Sequence, residues 1–178
     1  MVLSDTKILE EIEKGSILIE PFDPDALGTN SYDVHLGRHI ALYKNEVLDA
    51  KQHNEIDTFE IPDDGVVLHP GKIYLGVTKE YTETLEHVAF LEGLSSVGRL
   101  GISINANSRA GDVGFCNTWT LEITVAQPVK IYKGMPIGQL FYLTVEGDIS
   151  NYYHVKKDAK YINRSMKPVE SMMYKNKF

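Results

Sequence analysis

The stretch Thr118-Trp119-Thr120-Leu121-Glu122-Ile123-Thr124-Val125 decides how the rest of the chain is read. Trp119, Leu121, Ile123 and Val125 alternate with Thr118, Thr120, Glu122 and Thr124. A period of two sends the apolar set to one face of a β-strand and the polar set to the other. Glu122 is the single acid in a row of threonines, and periodicity alone reads it as a solvent-facing residue on a half-buried strand. A chemical role for it needs independent support.

Outward from this strand the same texture recurs. Short β-rich runs at Ile17 to Ile19, Tyr32 to Leu36, Ile40 to Tyr43, Val66 to Leu68, Ile73 to Val77, Val88 to Leu91, Ile102 to Ile104, Val129 to Tyr132 and Ile137 to Val145 are separated by Gly, Pro, Asn and Asp. So many short strands predict a mainly β fold, a sandwich or a distorted barrel. One short helix opens the chain: Ser4 suits the N-cap, Asp5 the first turn, Ile8, Leu9 and Ile12 recur at helical spacing, and Gly15 ends it. The polar, acid-rich stretch Asp49 to Asp64 reads as a surface loop.

With 178 residues the chain has the size of one domain, 1–178, which excludes a multi-module enzyme. Hydrophobic residues make up 43%, enough to build a core at this length, so disorder of the whole chain is excluded too. The 18 basic residues against 25 acidic ones give a formal charge of −7, the wrong sign for coating a nucleic-acid polymer. That charge is uneven. Residues 155–178 hold Lys156, Lys157, Lys160, Arg164, Lys167, Lys175 and Lys177 against Asp158 and Glu170, a basic tail of +5 on a body of −12. No apolar run approaches the roughly 18 residues of a membrane span, and MVLSDTKILEEIEKG carries charges where a signal peptide is apolar. The expectation is a cytoplasmic protein that engages neither membrane nor nucleic acid.

Few residues offer chemistry. Leu91 to Ile102, LEGLSSVGRLGI, combines glycines, adjacent hydroxyls and Arg99, which together can hold phosphate or a polarised water. It lacks the Gly-Lys-Ser/Thr ending of a Walker motif, and an ordinary turn between strands explains it equally well. Cys116 is the only cysteine, so the chain can form neither an internal disulfide nor a cysteine-based zinc cluster. No basic group stands beside Cys116 in sequence, and it reads as a small hydrophobe rather than a nucleophile. None of the six histidines falls in a helical zinc-protease motif, although His35 and His39 straddle Gly37.

Taken in order, SDTKILEEIEKG, IEPFD, NSYDVHLG, LHPGKIYLGVT, LEGLSSVGRLGI, GDVGFCNTWTLEITV, GMPIGQL and DAKY resemble the dCTP deaminases of the trimeric dUTPase superfamily. The likeness covers nearly the whole chain. It implies a distorted β-barrel of dUTPase-like type with a short N-terminal helix, assembled as a homotrimer with sites for deoxycytidine and deoxyuridine nucleotides where subunits meet. It also gives the missing zinc ligands a meaning. Most base deaminases activate water with a metal held by His and Cys, whereas this family uses a carboxylate to deprotonate the water that attacks C4 of cytosine. Magnesium is then expected only as the counterion of the triphosphate.

By motif position the resemblance implies Glu122 as the proton-transferring acid, with Ser95 and Arg99 placing the water and polarising the site. Ser96, with Val97 and Gly98 beside it, falls among the phosphate contacts. Asp112 matches the acid that holds the deoxyribose 3′-hydroxyl, and Thr120 and Leu121 lie in the stretch that reads the base through backbone groups. Tyr153 and Lys160 keep the family's seven-residue separation in the tail, where with Arg164 they would close over the nucleotide. Gln139 matches a glutamine typical of members that go on to cleave the triphosphate to dUMP.

Three positions depart from the family pattern. Leu94 stands where a cation usually precedes the paired serines, Asn105-Ala106-Asn107-Ser108 replaces the usual His-x-Thr-Ala, and Arg164 stands where glutamine is common. A lost charge-assisted contact is worth about 1.5–3 kcal/mol, and Arg109 and Arg164 are the cations placed to compensate. With a changed pocket loop, two alternatives stand beside the deaminase: a non-catalytic trimer that sequesters nucleotide, and a dUTP pyrophosphatase.

Overall fold

The structure is a computed structural model describing residues 1–104 and 109–177. Helix α1 (Asp5–Lys14) begins and ends where the caps require. Ser4 accepts the Lys7 N–H at 3.4 Å, and Gly15, at φ 82°, takes the left-handed turn that frees the helix end. Ile8 is fully buried and Ile12 packs on the core, but Leu9 is exposed and its place on the buried face is taken by Glu11.

The strands are β1 (Ile17–Glu20), β2 (Tyr32–Tyr43), β3 (Ile56–Glu60), β4 (Val66–Leu68), β5 (Tyr74–Thr84), β6 (His87–Gly93), β7 (Ile102–Ser103), β8 (Ala110–Gly111), β9 (Cys116–Val125), β10 (Val129–Ile131) and β11 (Pro136–Thr144); a short helix α2 (Ser95–Arg99) follows β6. Nine strands form one sheet in the order β7-β9-β5-β2-β11-β6-β8, with β1 also on β5 and β3 also on β2, while β4 and β10 pair apart. All pairings are antiparallel. The fold is mainly β, as the runs predict, and the large sheet curls as a half-barrel.

Strand β2 makes the corner of that curl. Its first half pairs with β11 through Tyr32 to His35, and its second half with β5 and β3. Gly37 lies at the change of partner, where an added Cβ would stand 2.8 Å from the Val77 carbonyl oxygen. The two runs on either side of Gly37 are therefore one strand. Tyr32, Val34, Leu36, Leu121, Ile123, Leu140 and Tyr142, all completely buried, belong to one hydrophobic core.

Strand β3 corrects the expectation of a loop from Asp49 to Asp64. Ile56 to Glu60 pair with His39 to Tyr43 along the sheet edge, and because both faces are largely exposed the strand shows no apolar alternation. The segment Ser95–Arg99 is likewise a turn of helix rather than a bare turn. No described helix is long and apolar enough to cross a membrane.

Candidate active site

Strand β9 behaves as its alternation requires. Leu121, Ile123 and Val125 are buried in the core with Trp119, and the threonines and Glu122 take the other face. Only Thr124 on that face is open to solvent, Thr120 and Glu122 being half-buried and Thr118 buried. The C-terminal segment crosses the face, with Thr118 Oγ1 donating to the Ser165 carbonyl and Thr120 Oγ1 accepting the Val169 N–H at 3.1 Å.

Between this face and the tail lies a cleft of about 600 Å³ lined by Asp112, Phe115, Asn117, Thr118, Thr120, Glu122, Tyr153, Tyr161, Ser165 and Val169 to Ser171, with Tyr43, Leu48, Ile73 and Leu75 along one side. Glu122 is half-buried within it, and that burial pushes its carboxyl above the usual carboxylate range. Removal from water disfavours the charged form, the tuning that suits a carboxyl for both taking and returning a proton near neutral pH.

Asp112 opens the turn before β9. Its carbonyl accepts the Phe115 N–H at 2.9 Å, and Gly114, at φ 90°, completes the turn. An added Cβ on Gly114 would lie 2.8 Å from the Tyr153 nitrogen, so only glycine lets the tail come this close. Tyr153 donates its N–H to the Val113 carbonyl at 2.9 Å, and its ring lies 5.8 Å from that of Phe115, which in turn packs on Trp119 at 4.9 Å. An acid, an aromatic wall and Glu122 thus share one cleft.

The other sequence-predicted residues lie elsewhere in the chain. Ser95 and Arg99 sit one turn apart on α2, joined by an Arg99 Nη1 donation to Ser95 Oγ at 3.3 Å; both are exposed and neither lines the cleft. Ser96 and Gly98 are exposed beside them, and Val97 anchors the helix in the core. Leu121 is a core residue, so only its backbone is open to a ligand. Gln139 on β11 accepts from Ser31 Oγ at 3.1 Å and lies opposite Asp33, whose carboxyl burial also pushes up.

In the tail, Lys160 Nζ donates to Asn176 Oδ1. Arg164 stacks over the Tyr81 ring at 4.1 Å and lies 3.5 Å from Glu20. Arg109 pairs with Glu92 at 2.9 Å. Neither arginine lines the cleft. Leu94 caps α2 without a side-chain bond and packs on the core. The pocket loop Asn105 to Ser108 lies outside the described residues.

Sequence reasoning missed Asn117, Phe115 and Tyr161, all of which line the cleft. Asn117 alone left a signal, since asparagine is depleted from strands and here sits inside one.

A curled half-barrel sheet with a half-buried carboxyl and a second acid, Asp112, in one tail-covered cleft fits the dUTPase-like class that the sequence motifs resemble. The comparisons narrow this. A family model described as dCTP deaminase-like matches residues 2–145. A relative from Cytophaga hutchinsonii named "dCTP deaminase, dUMP-forming" is 42% identical over 177 residues, 99% of this chain and 98% of that protein. One of the same name from Leptospira biflexa is 44% identical over the same shares. The solved 2′-deoxycytidine 5′-triphosphate deaminase from Agrobacterium tumefaciens shares the fold, with a TM-score of 0.64 at 19% identity over 81% of this chain and 48% of that one. The chain belongs to the dCTP deaminase-like family.

Proposed function

We propose that the protein deaminates dCTP and carries the product on to dUMP, working as a cytoplasmic homotrimer with Mg²⁺ brought in on the triphosphate. One observation carries this: Glu122 stands in a tail-covered cleft on the strand that the family motif identifies, with its carboxyl held toward neutrality by burial. Ionised Glu122 takes a proton from a water whose oxygen attacks C4 of the cytosine. The same carboxyl then returns a proton to the departing amine, so that water enters, ammonia leaves and C4 becomes a carbonyl.

Arg99 and Ser95, already bonded to each other, supply the charge and hydroxyl that orient this water, from α2 of an adjoining copy. Asp112 receives the 3′-hydroxyl of the deoxyribose beside the Tyr153 and Phe115 rings. Gln139, facing Asp33, serves the second step at the phosphates. Mg²⁺ then arrives on the substrate phosphates rather than in a protein cage. The sequestering and pyrophosphatase-only alternatives lack comparable support, because full-length relatives at 42% and 44% identity carry the deaminase name.

Incubation with dCTP and Mg²⁺ followed by ion-exchange separation tests the proposal. Wild type is expected to release dUMP and Glu122→Ala to leave dCTP intact. Wild-type protein that binds dCTP tightly and returns it unchanged would sink it.

A further inference from the structure

The C-terminal segment is held to β9 by side-chain bonds to its backbone, and Asn117 makes most of them. Its amide is buried, the residue being 4% exposed. Nδ2 donates to the Tyr161 carbonyl at 3.1 Å and to the Asn163 carbonyl at 2.9 Å. Oδ1 accepts the Ser165 N–H at 3.3 Å and the Thr118 N–H at 2.9 Å. A side-chain amide has two donors and two acceptor sites. All four are used, three of them on the tail.

The grip falls on alternate residues, 161, 163 and 165, and Thr118 Oγ1 adds a donation to Ser165. The stretch bends at Tyr161 and Asn163 and belongs to no strand, so no backbone ladder holds it. Asn117 fixes three points of its path. Tyr161 and Ser165, within the gripped span, and Val169 to Ser171 just beyond it, line the cleft with Glu122.

We propose that Asn117 is a positioning residue for the reaction, a latch that holds the C-terminal segment in the path that closes the cleft over a nucleotide beside Glu122. This rests on the cleft being the dCTP site. Asn117 does not act on the reacting atoms; it raises the share of molecules already closed before substrate arrives. A nucleotide that binds the closed form recovers that share at saturation, so loss of the latch falls on KM and spares kcat.

Asn117→Asp keeps the size and the accepting oxygen but removes both donations to the tail. In the full-length protein we expect amide hydrogen exchange across residues 161–171 to quicken about tenfold while β5 and β11 are unchanged, saturating dCTP to restore protection, and KM for dCTP to rise about tenfold with kcat within about threefold. Thr118→Val, near-isosteric, removes the neighbouring donation and is expected to shift exchange and KM the same way by less, which keeps the test open if Asn117→Asp folds poorly. Unchanged exchange of the tail, or a fall in kcat with KM unmoved, overturns the latch. Wild type inert toward dCTP would overturn the deaminase reading instead, and the exchange comparison would still decide whether Asn117 holds the tail.

Discussion

At the scale of single residues, Glu122 shows how much alternation reveals and where it stops. The period of two put it correctly on the threonine face, yet the bland inference of a solvent-facing acid fails because residues more than forty positions later bond to Thr118 and Thr120 on that face and wall the cleft in which Glu122 is half-buried. No local pattern encodes such a cover. Burial has a kinetic consequence whose sign is fixed: with its carboxyl raised, Glu122 remains protonated at pH values where an ordinary glutamate is already ionised. A base must be ionised to accept the water's proton, so kcat/KM for dCTP should climb with pH through a midpoint above the ordinary glutamate range. A pH–rate profile checks this. A midpoint at the ordinary glutamate value would mean a solvated carboxylate, and persistence of the acid limb in the residual activity of Glu122→Gln would assign the titration to another group.

At the scale of elements, helix α1 and strand β3 mark the two ends of legibility. The caps of α1 were readable to the residue, because Ser4 and Gly15 act through their own backbone neighbourhood. Its buried face was not, since helical spacing favoured Leu9 whereas the fold buries Glu11. Glu11 is accommodated by polar partners: Ser16 Oγ donates to it, Lys7 lies at 3.0 Å and Lys14 at 3.6 Å. The Ser16 bond leads in drawing its carboxyl down to about 2. Because the folded value lies below the unfolded one, this stabilisation is complete above the ordinary glutamate range and is lost as pH falls toward about 2. Glu11→Gln should cost about 1–2 kcal/mol at pH 7, discounted for the exposed lysines, and the difference from wild type should shrink in urea melts repeated at lower pH. Strand β3 was illegible for the opposite reason: an edge strand exposed on both faces has no apolar set to alternate. The C-terminal segment was legible in charge but not in attachment, because Asn117 grips its backbone, which carries no sequence signal.

At the scale of the whole molecule, the parts that the family motif unites are kept apart within one copy. Glu122 and Asp112 line the cleft, whereas Ser95 and Arg99 are exposed on α2 and do not. A site shared across a cyclic interface reconciles these facts, since each copy then offers its α2 to a neighbour's cleft. Such an arrangement makes two inactive variants able to rescue each other. A Glu122→Gln copy retains an intact α2, and an Arg99→Ala copy retains an intact Glu122. When the two are co-expressed in equal amounts and assort at random, a site is whole only if its carboxylate comes from the second kind and its arginine from the first, which happens in about a quarter of sites. The co-expressed population should therefore recover about a quarter of wild-type deamination, in a species that sediments at three times the mass of the chain, although each variant alone is inactive. Sites built within single copies would recover nothing in the mixture, because every copy would lack one of the two groups.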